Sequence, residues 1–325
     1  MRAVSLHLGT IPVACGDRNQ TQESETAMAS ATLTAAKPIS QESIPATPDL
    51  AALKTRQQAA WSTGDYAVIG TTLQIVGEEL CEALDLRPGQ TVLDVAAGNG
   101  MASLAAARRW CEVTSTDYVP RLLERGRARA AAEGLVIDFR EADAEALPFG
   151  DSSFDTVLST FGVMFTSDHQ RAAAELRRVC KADGQIGLAN WTPDGFIGEL
   201  FKTLGKYLPP TGAPSPMRWG TREGLAGFFG PAASIWTETR YFNFRYRSPQ
   251  HFVDVFKTFY GPMAKAFAAL DAARQQDLTN DLLALIARLN KAHDGTMVVA
   301  SAYLEAVITK RWDDASDHAI SRIGV

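Results

Sequence analysis

The segment TVLDVAAGNG, residues 91–100, decides the fold class of this 325-residue chain. Its apolar and β-branched residues around Asp94 predict a short buried strand, and the small residues after them predict a tight turn into an Ala-rich helix. Glycine in such a turn lets the backbone approach a ligand closely, at the strand end where open α/β sheets bind ligands. A tight strand–helix turn without a ligand also fits this segment when it is taken alone.

The chain after this segment alternates between strand-like and helix-like stretches. The strand-like runs occupy residues 112–116, 136–139, 154–159 and 185–189. A helix over residues 168–180 is predicted to end at a turn over 181–184, where the sequence is KADG. Strands and helices that alternate at this spacing form a parallel sheet with helices on both faces. The sequence therefore predicts an α/β fold.

Two carboxylates follow the next strands of this predicted sheet. Asp117 ends the second strand, where a carboxylate can accept hydrogen bonds from both ribose hydroxyls of a nucleoside. Asp143 follows the third strand, where it can accept a hydrogen bond from the exocyclic amine of adenine. Each acid alone is typical of a solvated loop. Their order after the glycine turn predicts a ligand that contains a nucleoside.

Residues 91–191 resemble the class I S-adenosylmethionine (SAM)-dependent methyltransferases, most closely the branch with the ubiquinone and menaquinone C-methyltransferases. The resemblance implies SAM as the cofactor. The residues that match the family's contacts are Asp94, Ala96, Gly98 and Gly100 for the methionine part, Asp117 for the ribose, Tyr118, Asp143 and Ala144 for the adenine, and Ser159 and Thr160 beside the methyl group. One departure is Ala96, which replaces the family's first glycine; alanine fits there if its φ stays negative.

The resemblance also implies the complete fold, a Rossmann-like and mostly parallel sheet of seven strands whose last strand, near residues 303–310, is antiparallel. Residues 1–48 are polar and lack aromatics, which predicts a disordered tail. Lid helices are expected over 49–90 and the SAM-binding core over 91–191. Residues 192–325 are expected to complete the sheet and to carry a helical substrate cap over 249–295.

Aromatic residues outside the core are candidates for the lid and the acceptor site. Trp61 and Tyr66 resemble the family's N-terminal lid, although a helix packed on the sheet edge with Trp61 as its anchor is the alternative. Phe161, Trp191 and Tyr260 are candidates for contacts with an apolar or ring-bearing acceptor. The remaining aromatics of the C-terminal part include Trp219, Phe228, Phe229, Phe256 and Phe259. Such residues also commonly pack with one another inside a cap.

Methyl transfer from a sulfonium requires mainly alignment of the reactants and exclusion of water. His169 is a candidate base for an acceptor that must lose a proton, although a histidine at a helix end is more often structural. No residue is assigned as catalytic from the sequence. A SAM-binding protein without turnover, in a regulatory or assembly role, is the alternative function, because binding and transfer use the same motif.

Two other nucleotide-dependent classes fit the sequence less well. The G-x-G-x-x-G fingerprint of NAD-binding folds lacks its last glycine here, and Asp94 lies where that motif has no acid. Methyltransferases that modify exocyclic amines of nucleic acids usually carry an N/D-P-P-Y/F motif after the fourth strand. This chain has the sequence STFG at residues 159–162 instead.

The composition narrows the choice of partners and location. A formal net charge of -5 disfavours a nucleic-acid partner. Four scattered cysteines without a C-x-x-C pair predict neither a disulfide framework nor a metal site. No apolar run is long enough to span a membrane. We therefore expect a cytoplasmic methyltransferase that acts on a small acceptor.

Overall fold

A seven-stranded sheet forms the centre of the computed structural model, which describes residues 49–209, 212, 214–231 and 233–310. The strands are β1 (Thr91–Val95), β2 (Glu112–Asp117), β3 (Ile137–Glu141), β4 (Phe154–Thr160), β5 (Cys180–Trp191), β6 (Ala233–Tyr246) and β7 (Met297–Lys310). Their order in the sheet is β3–β2–β1–β4–β5–β7–β6. The predicted disordered tail, residues 1–48, lies outside the described residues.

The pairing of the strands confirms the predicted mostly parallel sheet with an antiparallel last strand. β1 to β5 pair in parallel, whereas β7 pairs antiparallel with β5 on one side and with β6 on the other. The last strand in the described part of the chain, β7, therefore lies between β5 and β6, and β6 forms the edge.

Helices cover the sheet and connect its strands. Three precede the sheet: α1 (Leu50–Trp61), α2 (Ala67–Gly70) and α3 (Gln74–Ala83). Five lie between β1 and β6: α4 (Met101–Arg108), α5 (Pro120–Ala132), α6 (His169–Val179), α7 (Phe196–Gly205) and α8 (Arg222–Phe229). Three lie between β6 and β7: α9 (Pro249–Phe259), α10 (Gly261–Ala268) and α11 (Ala272–Leu289). None of the helices in the described ranges is both long and apolar enough to cross a membrane.

Local sequence explains where these helices begin. Asp168 caps α6, because its carboxylate accepts a hydrogen bond from the Arg171 N–H at 3.0 Å. Pro120 lies in the first turn of α5, where a backbone N–H has no acceptor within the helix, so the N–H that proline lacks costs nothing there. The central strands β1 and β4 are buried on both faces, which is the pattern of a parallel sheet covered by helices.

The predicted turn over residues 181–184 is wrong, because these residues belong to β5. The register between β4 and β5 shifts from the pair Phe154–Cys180 to the pair Thr156–Gln185. The four residues 181–184 are therefore accommodated as an irregularity within a paired strand. Pairing with β4 overrides the turn preference of Asp183-Gly184, which is a local preference only.

Candidate functional site

A cleft of about 700 Å³ opens at the carboxyl ends of β1, β2 and β4. The predicted cofactor residues that line the cleft are Ala96, Gly98, Asp117, Tyr118, Asp143, Ala144 and Thr160. Residues from four separate stretches of the core therefore meet at the edge of the sheet where the sequence placed a ligand.

The glycine turn after β1 is hydrogen-bonded to the end of β2. The Ala97 N–H donates to the Thr116 carbonyl at 2.8 Å, and the Gly98 N–H donates to Asp117 Oδ2 at 2.9 Å. Gly98 has a φ of +57°, which favours glycine because it has no Cβ. The turn thus presents bare backbone to the cleft.

Ala96 adopts a φ of +52°, so the condition under which alanine fits this position without strain, a negative φ, is not met. Alanine in this left-handed region costs about 1–2 kcal/mol. Gly162 packs directly against Ala96. A Cβ added to Gly162 would lie 2.3 Å from the Ala96 carbonyl oxygen and 2.6 Å from the Ala96 Cβ. The turn therefore keeps this conformation although it strains an alanine. Such strain is found where the surrounding structure holds a residue in place, commonly at binding sites.

Asp117 is buried, and its carboxylate accepts hydrogen bonds from two backbone N–H groups. Besides the bond from Gly98, its Oδ1 accepts from the Val119 N–H at 2.9 Å. Burial raises the pKa of this carboxyl to about 6, against the opposing effect of its backbone hydrogen bonds. An ionised carboxylate has about four acceptor positions, so both oxygens can accept further bonds from a ligand in the cleft.

Asp94, Gly100 and Ser159 do not line the cleft. Asp94 is fully buried, and its Oδ2 accepts from the Ser103 N–H at 2.8 Å and from Ser103 Oγ at 2.6 Å. Burial raises the pKa of Asp94 to about 7. Ser159 Oγ donates to the Val95 carbonyl at 2.8 Å, and Gly100 precedes α4 with a φ of +81°. These three residues stabilise the turn and the start of α4 from behind the cleft.

Thr160 is the polar group of β4 that faces the cleft. It is nearly buried, and its Oγ1 has no hydrogen-bond partner among the residues that the structure describes. A buried hydroxyl without a partner is costly unless a ligand or water completes it. Thr160 therefore lines the cleft with a hydroxyl whose hydrogen-bonding capacity is unused within the described residues.

Helix α1 crosses the cleft and contributes residues that the sequence analysis missed. Lys54 Nζ lies 2.6 Å from both Asp143 Oδ2 and Glu145 Oε2. Ser167 Oγ donates at 2.6 Å to Oε1 of Gln57, which also belongs to α1. No local pattern could have revealed these contacts, because they join α1 to loops far away in the sequence.

A second cavity of about 320 Å³, the apolar chamber, adjoins the cleft. The side chains that line the chamber and not the cleft are Ile69, Leu73, Trp191, Ile197, Phe244, Phe256 and Tyr260. None of the described residues around the chamber is charged. Two of the predicted acceptor residues, Trp191 and Tyr260, therefore lie in this chamber.

Four aromatic side chains line both cavities, and we call them the collar: Trp61, Tyr66, Phe161 and Phe165. The Trp61 ring contacts Tyr66 at 5.5 Å and Phe165 at 4.9 Å between ring centroids. Phe161 has a φ of +56° and stacks on Trp191 at 3.9 Å with an interplanar angle of 3°. The collar separates the cleft from the chamber, and every member of it is uncharged.

The N-terminal helices and the helices before β7 meet at this collar. Trp61 ends α1 and Tyr66 precedes α2, and the Trp61 ring lies 5.5 Å from that of Tyr260 between α9 and α10. The backbone contributes as well, because the Asp65 N–H donates to the Phe259 carbonyl at 3.2 Å. The turn between α1 and α2 is therefore joined directly to the end of α9.

His169 lies outside both cavities, at the first position of α6. It is buried, and its ring contacts those of Trp219 at 5.9 Å and Phe228 at 5.6 Å. Burial lowers the pKa of His169 to about 4, and the charge of Arg218 acts in the same direction. At neutral pH the imidazole is therefore neutral and surrounded by aromatic rings.

Comparison with known proteins agrees with this geometry. The profile of a methyltransferase-domain family matches residues 93–188, which run from β1 into β5. An uncharacterized protein of Mycobacterium tuberculosis is 45% identical over 222 residues, which cover 66% of this chain and 81% of that protein. A demethylmenaquinone methyltransferase of Deinococcus radiodurans is 36% identical over 133 residues, or 40% of this chain and 55% of that enzyme.

Solved structures show the same fold at low sequence identity. A proposed methyltransferase of Bacillus halodurans superimposes with a TM-score of 0.54 and 18% identity, covering 72% of this chain and 98% of that one. The predicted resemblance, the enzyme class and the cofactor are confirmed by the match to the methyltransferase-domain family and by the similarity to the demethylmenaquinone methyltransferase. The chain belongs to the class I SAM-dependent methyltransferases.

Proposed function

We propose that this enzyme transfers the methyl group of SAM to a small acceptor that is uncharged and largely apolar or ring-bearing. The observation that carries this proposal is the apolar chamber, which adjoins the cleft and shares the collar with it. A chamber without charged side chains desolvates an ionic acceptor without compensation, so it selects against one. The same property makes a nucleic acid, with its phosphates, an unsuitable acceptor.

The cleft suits SAM on the chemistry of its donors and acceptors. We assign the ribose to Asp117, the adenine to Tyr118, Asp143 and Ala144, and the methionine part to the turn from Ala96 to Gly98. Thr160, whose hydroxyl lacks a partner in the described part of the chain, would complete the site near the methyl group. When bound, SAM supplies a methyl carbon whose bond to sulfur breaks with its electron pair left on sulfur.

Tyr66 and Tyr260 line the chamber and carry hydroxyl groups that can serve an acceptor. Burial raises the pKa of both phenols, so they remain protonated at neutral pH and can donate. They suit an uncharged acceptor that carries a hydrogen-bond-accepting atom beside its apolar part.

Catalysis in this proposal rests on alignment and exclusion of water. The charged residues that line the cleft are Lys54, Asp117, Asp143 and Glu145, all of which lie at its proposed adenosine end. The imidazole of His169 contacts Trp219 and Phe228 rather than either cavity. We therefore assign no protein base, and give the helices α1, α9 and α10 the role of closing the site around the reactants.

Filling the chamber should separate acceptor binding from cofactor binding. Ile197 lines the chamber and not the cleft, and Ile197→Phe places a larger side chain in that space. We expect methyl transfer from labelled SAM into a metabolite extract to fall by at least about tenfold, the effect of losing roughly 1.4 kcal/mol of transition-state stabilisation. The affinity for S-adenosylhomocysteine (SAH) should be unchanged.

The matched control is Leu283→Phe, a similar enlargement on α11 at a partly buried position that lines neither cavity. Normal transfer by Ile197→Phe would exclude the chamber as the acceptor site. If the unmodified protein binds SAH but transfers no label to any fraction, the proposed turnover is wrong and the protein binds SAM without transferring it.

The affinity for SAH should depend on pH through Asp117. Because burial raises the pKa of Asp117 to about 6, the carboxylate that accepts the ribose hydroxyls is lost as the pH falls through 6. A ligand that requires the ionised form binds up to about tenfold more weakly for each pH unit below that pKa. Titrations of SAH at pH 5 and pH 7.5 measure this, and Asp117→Asn should show a flat profile. A flat profile in the unmodified protein would contradict the assignment of Asp117.

A further inference from the structure

Strand β6 forms a long open edge of the sheet. In the described part of the chain it pairs with β7 alone, and the register runs from Ala233–Lys310 to Tyr246–Met297 without a shift. At about 3.4 Å per residue, its 14 residues span roughly 48 Å. The strand contains neither proline nor lysine and its pairing shows no bulge, so this edge lacks the usual barriers to pairing with a further strand.

The direction of the backbone groups shows which residues of β6 face the open side. The Thr192 N–H donates to the Ala302 carbonyl at 3.3 Å, so the backbone of Ala302 and of every second residue of β7 faces β5. The residues between them, such as Tyr303 and Glu305, face β6 and lie opposite its even-numbered residues. The N–H and C=O groups of the odd-numbered residues therefore point to the open edge: Ile235, Thr237, Thr239, Tyr241 and Asn243.

The side chain of Arg222 reaches this row of backbone groups. Its guanidinium donates to the Thr237 carbonyl at 3.0 Å, which agrees with the outward direction of that carbonyl. A carbonyl oxygen has two lone pairs, so the Thr237 carbonyl can accept a second hydrogen bond. The contact with Arg222 therefore does not prevent another strand from pairing there.

Aromatic side chains are exposed on both faces of this edge. Trp236 is 50% exposed and Tyr241 is 66% exposed. The two project to opposite faces, because even and odd positions of a strand alternate. Aromatic residues are enriched where proteins bind one another, so these two side chains indicate a contact surface.

Two acids and one arginine lie side by side in the middle of the edge. Glu305 of β7 lies directly opposite Glu238 of β6, and like charges in this arrangement repel. Arg240 serves both acids, with Nε 2.7 Å from Glu305 Oε1 and Nη2 3.2 Å from Glu238 Oε2. Glu305 is fully buried, and its Oε2 has no hydrogen-bond partner among the residues that the structure describes. The two acids can therefore accept a second cationic group.

We propose that this edge binds a second copy of the same chain, with β6 antiparallel to the partner's β6 about a twofold axis at Thr239. Residues that face the open edge must meet residues that face it, so only alternate registers form hydrogen bonds. Among these, the register centred on Thr239 is the one that places Glu238 opposite the partner's Arg240, and the symmetry repeats this pair on the other side of the axis. The registers on either side place Glu238 opposite the partner's Glu238, or Arg240 opposite the partner's Arg240.

This register covers the exposed and incompletely paired groups of the edge. Trp236 lies opposite the partner's Phe242, and Tyr241 lies opposite the partner's Thr237. Glu238 gains the partner's Arg240 in addition to its own, so the two opposed acids receive a second cation. Residues 233–245 of both copies overlap, and the two seven-stranded sheets continue into one another.

An engineered cysteine at the axis tests both the partner and the register. In the proposed dimer the exposed Thr239 lies opposite the partner's Thr239 at a Cα separation of about 5.5 Å, which suits a disulfide. We expect Thr239→Cys to join two copies under mild oxidation, so that most of the protein migrates as a dimer on a non-reducing gel. The matched control is Tyr241→Cys, which lies on the same face but roughly 14 Å from the partner's position 241 and should join few copies. Both changes are made together with Cys15→Ser, because the three other cysteines are buried: Cys81, Cys111 and Cys180.

Charge reversal tests the pairing of Glu238 with the partner's Arg240. Sedimentation velocity of the unmodified full-length protein at micromolar concentration should show twice the mass of one chain. Glu238→Arg places like charges opposite each other on both sides of the axis and should weaken the dimer by at least about tenfold. Glu112→Arg makes the same change at the exposed start of β2 and should leave the mass unchanged. The affinity for SAH should be normal in both variants, because neither residue lines a cavity, and it shows that both proteins are folded.

Three results would overturn the edge dimer. The mass of a single chain for the unmodified protein, up to high micromolar concentration, would exclude it. A dimer that Glu238→Arg does not weaken would have to form through another surface. Equal cross-linking of Thr239→Cys and Tyr241→Cys would show random collisions or a different register. None of these measurements uses SAM or an acceptor, so such a failure would not bear on the proposed function.

Discussion

Replacing Asp117 with alanine is expected to weaken binding of SAH by roughly 5- to 150-fold, which corresponds to about 1–3 kcal/mol for lost hydrogen bonds to a charged group. The proposed ribose contacts end with the carboxylate. The same substitution removes the acceptor that holds the Gly98 N–H at 2.9 Å, so the glycine turn loses a support as well. Isothermal titration calorimetry with SAH measures the combined effect.

Two variants show whether this loss belongs to the site. Asp138→Ala removes an equal charge from an exposed position of β3 and should leave the SAH affinity unchanged. Asp94→Asn changes an acid that lies behind the cleft and contacts Ser103, so it should cost less affinity than Asp117→Ala. Equal SAH affinity in Asp117→Ala and the unmodified protein would exclude Asp117 from the site.

Replacing Trp219 with alanine is expected to lower the free energy of unfolding by about 3–5 kcal/mol, the usual cost of emptying a buried aromatic position. Trp219 is fully buried, and its ring lies 4.5 Å from that of Phe228 and 5.9 Å from that of His169. Denaturant unfolding monitored by circular dichroism measures the change. The remaining folded protein should bind SAH normally, because Trp219 lines neither cavity.

Trp110 provides the matched control for this substitution. Its side chain is 80% exposed, so Trp110→Ala should change the free energy of unfolding by no more than about 0.5 kcal/mol. A cost below about 1 kcal/mol for Trp219→Ala would show that this aromatic cluster does not stabilise the fold. Lost SAH binding without lost stability would place Trp219 in the functional site instead.

The aromatic residues of the C-terminal part illustrate what the sequence could not resolve. Their composition alone allowed both contact with an acceptor and packing within the cap. The structure divides them, with Trp191, Phe256 and Tyr260 around the chamber and Trp219 and Phe228 beside His169. Which ring faces which space depends on how α6, α8 and α9 pack, and periodicity within one helix does not specify that.

The core of the cleft was predictable for a physical reason. Parallel strands end at one edge of the sheet, so acids that follow successive strands come together whatever the rest of the chain does. Asp117, Asp143 and Thr160 could be placed in this way. The sequence did not separate the residues that line the cleft from those that do not, such as Asp94 and Ser159, because a motif gives the position of a residue and not the direction of its side chain.

Long-range contacts and backbone strain were beyond the sequence. Lys54 pairs with Asp143 across 89 residues of chain, and charge pairs at that separation leave no local pattern. The sequence allowed alanine at position 96 on the condition of a negative φ, yet Ala96 adopts +52°. The pairing of the Ala97 N–H with Thr116 and the close approach of Gly162 hold the turn there at the cost of strain.

A crystal structure of the protein with bound SAH tests the central claim most directly. We predict that the ribose hydroxyls contact Asp117, the adenine lies beside Tyr118 and Asp143, and the sulfur points through the collar toward the apolar chamber. A structure in which SAH binds elsewhere, or in which its sulfur faces away from the chamber, would contradict the account.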